Sequence, residues 1–79
     1  MKIYNVMLES RIDNETGYFV TVEVAARTKE EARNIALAHA ARTDIELPEI
    51  EEIEFKEDRS NIKVAQVTKV YGRSFFPLT

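Results

Sequence analysis

The sequence predicts an α+β domain: an antiparallel β-sheet of about four strands, in the order β-β-α-β-β, with one helix packed on one face. Three observations predict it. Residues 2–10 and 17–26 each alternate with a period of two, the signature of a half-buried strand. A capping sequence, Thr28-Lys-Glu-Glu31, follows the second of these directly and opens a helix. Beyond the helix, residues 52–56 and 62–71 return to strand character.

In the first strand, Lys2 to Ser10, Tyr4, Val6 and Leu8 share one face while Ile3, Asn5, Met7 and Glu9 share the other. In the second, Gly17 to Ala26, the set Tyr18, Val20, Val22, Val24 and Ala26 alternates with Phe19, Thr21, Glu23 and Ala25. Asp13 and Asn14 suit a type I turn between them, and Gly17 suits a left-handed position closing a bulged hairpin.

The helix begins at Thr28, whose hydroxyl is placed to accept from the Glu31 amide while the Glu31 carboxylate reaches back to the Thr28 amide. Glu30 and Glu31 lie in the first turn, where the helix dipole favours negative charge. Ala32, Ile35, Ala36 and His39 fall on one narrow stripe, with Arg33, Leu37 and Ala41 roughly opposite, so the helix should lie close against the sheet. Its end is expected at Arg42 or Thr43.

Residues 44–58 hold eight of the fourteen acids and one base, Lys56. Within them Ile53 and Phe55 alternate with Glu52, Glu54 and Lys56, a short strand with a charged outer face. Ile50 is out of phase and implies a bulge or an irregular start. Glu57 to Asn61 reads as a polar turn. Residues 62–71, rich in valine and isoleucine, form the last predicted strand, with a bulge near Ala65. β-Branched residues crowd a helix, which favours the strand reading. Two hairpins joined by one helix leave the second sheet face uncovered and apolar enough to suggest a partner or a homodimer.

The chain of 79 residues is expected to be one domain, residues 1–79, ending in an aromatic tail over 72–79. A chain this short buries only roughly 60% of its unfolded surface, which leaves little room for an enclosed cleft. With 44% hydrophobic and 32% charged residues it is globular rather than disordered. No apolar run approaches the roughly 20 residues of a membrane span. There is no cysteine and no signal-peptide pattern, which together point to a cytoplasmic setting. The net charge of −3 weighs against general nucleic-acid binding.

No catalytic, cofactor or metal signature emerges. His39, the only imidazole, lies on the helix stripe and reads as a packed residue near a helix C-terminus, without a cysteine or second histidine to complete a site. The acids of 44–58 lack the glycine and ligand spacing of a calcium loop. They read as a solvated edge that discourages sheet-to-sheet pairing, or as an acidic surface for a basic partner. Lys63, Lys69, Tyr71, Arg73, Phe75 and Phe76 interleave bases with aromatics. The two phenylalanines either fold back over the open sheet face, or anchor a partner or second copy, or stack bases.

The run Val20-Thr-Val-Glu-Val-Ala-Ala-Arg-Thr-Lys-Glu-Glu-Ala-Arg-Asn-Ile-Ala36, with the preceding strand, resembles the DpnD/PcfM-like small proteins of phages and mobile elements. The resemblance covers roughly residues 2–40. The acidic segment and the later valine-rich strand with its aromatic tail have no counterpart in that pattern. Gly17-Tyr-Phe-Val and the Glu-Glu-Ala helix start are similar to HicB-like antitoxins, without the Pro and Gly-Cys segment expected before the helix. The first resemblance implies an accessory protein of a phage or mobile element that binds a host protein, for instance as an anti-defence inhibitor. A non-enzymatic protein-binding module is therefore expected, with Tyr71, Arg73, Phe75 and Phe76 as contacts, flanked by Glu51, Glu52 and Glu54. The alternative is a nucleic-acid-binding accessory domain using the basic-aromatic C-terminal strand.

Overall fold

A computed structural model describes residues 1–46 and 48–78. Its elements are β1 (Lys2–Arg11), β2 (Thr16–Ala26), α1 (Lys29–Arg42), β3 (Glu49–Asp58), β4 (Gln66–Val70) and β5 (Ser74–Pro77). The class is α+β as predicted, with five strands rather than about four. The added strand is β5, which turns residues 74–77 of the predicted tail into an edge paired with β2. Thr79, the last residue of that tail, lies outside the described residues.

β1 and β2 form the long central hairpin, in register from Lys2–Ala26 to Arg11–Gly17. Asp13 caps its turn: one carboxylate oxygen accepts from the amides of Glu15 and Thr16, both at 2.8 Å. Gly17 sits inside β2 rather than closing the turn in a left-handed conformation. Its lack of a side chain serves another purpose. A Cβ there would lie 2.6 Å from Cζ of Phe76.

The second predicted hairpin does not form. Strand order is β3-β1-β2-β4, so β3 pairs with β1, β4 pairs with β2, and the two occupy opposite edges. Both β2 and β3 run antiparallel to β1, hence parallel to one another, and α1 is the crossover between them. Residues 59–65 then pass from one edge to the other. Three strand spacings amount to roughly 14 Å, well within the reach of seven residues. The N-terminal ammonium holds this segment, donating to the carbonyls of Arg59 at 2.7 Å and Ile62 at 3.3 Å. The Arg59 amide donates back to Met1 at 2.9 Å.

The bulges lie partly where the sequence implies them. Register shifts between Met7 and Leu8 opposite Glu52 and Ile50, which accounts for the out-of-phase Ile50. On β4 the shift falls opposite Glu23 and Val24, around Thr68 rather than Ala65.

The helix start follows the capping pattern with one difference. Thr28 Oγ1 accepts from the Glu31 amide at 3.1 Å, while Glu31 Oε1 accepts from the Arg27 amide at 2.7 Å, one residue before the predicted partner. Ala32, Ala36 and Ala40 are fully buried, so the stripe is narrower and more alanine-rich than predicted. Ile35 and Leu37 pack at its margins, and His39 is half-buried. The small side chains bring α1 down onto Tyr4, Val6, Leu8, Tyr18, Val20, Val22 and Val24. All the even-numbered core residues of β1 and β2 thus face the helix, and the odd-numbered residues face away.

Candidate functional site

The face without a helix carries Ile3, Asn5, Met7 and Glu9 from β1 and Phe19, Thr21, Glu23 and Ala25 from β2. It divides into three zones. At the end near the chain crossing, Ile3 and Ala25 pair across strands and are fully buried. In the middle lies a buried carboxylate, and the remainder is open.

Glu23 is the buried carboxylate, 4% exposed. Lys56 Nζ donates to its Oε2 at 2.9 Å and Arg59 donates to Oε1 at 3.0 Å. Thr68 Oγ1 donates to Oε1 at 2.9 Å, and Tyr71 reaches Oε2 at 3.4 Å. The Lys56 hydrogen bond outweighs the cost of burial and, with Thr68 and Arg59, holds the Glu23 carboxyl down to about 2. Arg59 also grips Glu57, whose carboxyl is lowered chiefly by that hydrogen bond. One side chain of β2 therefore ties β3, the chain crossing, β4 and the segment after it together. The β4 bulge is what turns Thr68 towards it.

The seven predicted contact residues do not form one surface. Successive residues of β5 point to opposite faces. Phe76 stacks on Phe19 on the open face, ring centroids 4.7 Å apart. Phe75 packs against Tyr18 on the helix side and remains 57% exposed. Arg73 is on that side too, its guanidinium over the Tyr18 ring and ion-paired with Asp44. Tyr71 belongs to the open face, with the Lys69 ammonium 4.5 Å from its ring centroid. Glu52 and Glu54 join the open face from β3, opposite Met7 and Asn5. Glu51 falls at the β3 bulge. Partial desolvation, with the acidic neighbours Glu51 and Glu49 beside it, raises the Glu9 carboxyl above its ordinary range.

The structure thus brings together Tyr71, Phe76, Glu52 and Glu54, and sets Arg73 and Phe75 apart. It adds Met7 and Phe19, from one of the two strand faces that the sequence leaves as candidates for the uncovered side, and Asn5, Thr21 and Glu23, which the sequence reading did not single out. The signal was present in the outward set of β2, where Phe19 and Thr21 are uncharged in a strand with one face supposedly in water.

Charge is distributed across the sheet as well as along the chain. β3 carries six acids and one base at one edge, whereas residues 59–79 carry four bases and no acid. Glu49, Glu51, Glu52 and Glu54 form no ion pair among the described residues. Nor do those residues gather three or more His, Asp or Glu side chains that could hold a metal ion. Among the described residues no helix is long and apolar enough to cross a membrane. Comparison of the chain with protein-family models, curated proteins and solved structures found no match.

Proposed function

We propose that this chain is a non-enzymatic protein-binding module whose docking surface is the open sheet face. The observation that carries the reading is the stacked Phe19–Phe76 pair beside Met7 and Thr21, on a face that no helix covers. A flat aromatic platform rimmed by unpaired acids has the make-up of an interface: apolar area at the centre and charge at the margin. Rim carboxylates steer a basic partner more than they hold it.

The resemblance of residues 2–40 to DpnD/PcfM-like proteins supports placing the chain among accessory proteins of phages and mobile elements. A host protein, such as a defence component, is the partner that this placement favours. The nucleic-acid reading has less to draw on. Arg59 is committed to Glu23 and Glu57 and Arg73 to Asp44, so two of the four C-terminal bases are neutralised within the chain.

Affinity capture with the tagged chain tests the reading. Thr21→Arg places a bulky charge at the centre of the open face, and Phe75→Arg places the same charge on the helix side. A saturable protein partner should be lost with Thr21→Arg and kept with Phe75→Arg, both variants retaining native circular dichroism. Equal retention by both would remove the open face from consideration.

A further inference from the structure

β3 closes one edge of the sheet: it pairs with β1 on one side and with no described strand on the other. Its outward main-chain N–H and C=O groups are therefore free along a strand of ten residues. The opposite edge offers no such run, because β4 and β5 are separate short strands and a register shift interrupts β4. The two faces of β3 differ beside its free edge. On the helix side Ile50, Ile53 and Phe55 stand next to Leu8, Val6 and Tyr4. The helix leaves this margin partly bare: Ile50 and Ile53 are half-buried, and Phe55 is 54% exposed. On the open side Glu52 and Glu54 are exposed and form no ion pair among the described residues. Over residues 52–55 unpaired main chain thus runs beside side chains that alternate between acid on one face and bare apolar surface on the other.

We propose that this edge takes up an extended segment of a protein partner as an added strand, one in which basic residues alternate with apolar ones. Side chains of an added strand stand directly beside those of β3 on each face, where opposite charges attract and like charges repel. Lysine or arginine beside Glu52 and Glu54 meets the charge. Valine, isoleucine or an aromatic residue beside Ile53 and Phe55 covers the bare apolar margin. Main-chain hydrogen bonds supply affinity in this mode, and the alternate side chains supply specificity. The same acids turn away the β3 edge of a second copy. The proposal goes beyond the open-face reading: it shares only the premise that the chain binds protein, and it uses a different surface.

Titration of the 15N-labelled chain, followed by NMR, tests this with the acetylated and amidated peptide Lys-Val-Lys-Ile-Lys-Val-Lys as the probe. Three comparison peptides separate the contributions: glutamate in place of lysine, the same residues regrouped as Lys-Lys-Lys-Lys-Val-Ile-Val, and the probe N-methylated at every amide. Saturable shifts are expected along residues 50–57, with the outward amides of β3 slowed in hydrogen exchange and Phe19 and Thr21 silent. The regrouped and N-methylated peptides should bind at least about tenfold more weakly, because pairing needs both the alternation and the main-chain donors. The glutamate peptide should not bind. Glu52→Lys with Glu54→Lys should transfer the preference to the glutamate peptide, and Phe55→Ala should weaken the probe severalfold. Equal binding of the regrouped or N-methylated peptide, or shifts without slowed exchange, would reduce the effect to charge attraction and overturn the proposal. Shifts centred on Phe19 and Thr21 would overturn it as well. If the probe is silent while Thr21→Arg still releases the protein partner, the edge falls and the open face stands. If the probe binds along β3 while Thr21→Arg leaves the partner bound, the edge stands and the open face falls.

Discussion

The Phe76 ring lies over the backbone of Gly17, so close that a Cβ at residue 17 would stand 2.6 Å from Cζ and 2.8 Å from Cε2. The same ring stacks on Phe19 at 4.7 Å and an interplanar angle of 29°. Gly17 is thus the floor on which the C-terminal strand rests. The two neighbouring phenylalanines should then behave differently. Phe76→Ala should cost about 2 kcal/mol, less than a fully buried phenylalanine but including the loss of the aromatic pair. Phe75→Ala, on a side chain more than half exposed, should cost about 0.5 kcal/mol. Urea midpoints of the two variants decide this, and equal losses would contradict the split between faces.

Gly17→Ala should change sign with its background. In the wild type the new methyl displaces the Phe76 ring and destabilises by about 1 kcal/mol. In the Phe76→Ala background only the flexible end of Leu78, Cδ2 at 3.2 Å, still crowds the new methyl, and the stiffer unfolded chain should leave the same change neutral or stabilising by about 0.5 kcal/mol. A double-mutant cycle reads the coupling directly. Additive losses would mean that the ring does not rest on Gly17.

Glu23 should make stability fall in acid. Its folded carboxyl is lowered to about 2 from an ordinary value of 4.5, so its contribution is complete above about pH 4.5. That contribution is lost as pH falls through the folded value. The linked free energy is on the order of 3 kcal/mol, from 1.36 kcal/mol for each pH unit between 4.5 and about 2. Glu23→Gln should cost about 2 kcal/mol at neutral pH, moderated because Lys56 and Arg59 are partly exposed and regain water. The variant's stability should also be flatter between pH 4.5 and 2 than the wild type's. Parallel acid profiles for the two proteins would show that the drop belongs to other carboxylates.

Thr28 and Glu31 act on one helix terminus through two different amides. Thr28→Ala should cost about 1 kcal/mol, the usual worth of an N-cap. Glu31→Ala should cost a similar amount, about 1 kcal/mol, because it strips the Arg27 amide of its acceptor and removes a favourable charge from the first turn. The double variant should lose less than the two single losses together, since one frayed turn serves for both. Thermal midpoints of the three variants check this.

Local pattern made the central hairpin and the helix legible. The alternation in residues 2–10 and 17–26, the Asp13 turn and the Thr28 cap are decided within a few residues of themselves, and all appear in the structure. The pairing of β3 and β4 is not local. A hairpin between them is the default for neighbouring strands, but the parallel return through α1 places β3 on the free edge of β1, and residues 59–65, held by the N-terminal ammonium, carry the chain across to the free edge of β2 instead of back along β3. Glu23 was hidden for a related reason. An acid at an outward strand position reads as solvated, and its partners Lys56, Arg59, Thr68 and Tyr71 lie 33 to 48 residues away. The unity of the C-terminal contacts failed for a simpler cause: once residues 74–77 are a strand, Phe75 and Phe76 must face opposite ways.

β3 is a ten-residue edge strand with one side unpaired, a ready template for another chain. Glu49, Glu51, Glu52 and Glu54 line it with no ion pair among the described residues, so two such edges repel one another. Removing the charge should expose the template. Glu51→Gln, Glu52→Gln and Glu54→Gln together should therefore increase association with protein concentration, while circular dichroism shows the fold intact. Sedimentation velocity across a concentration series measures the change, and high salt should promote the same association in the wild type by screening the acids. A triple variant that sediments as the wild type does at every concentration would leave the acids no protective role on the edge. Their part would then lie with the partner alone, at Glu52 and Glu54 beside the open face.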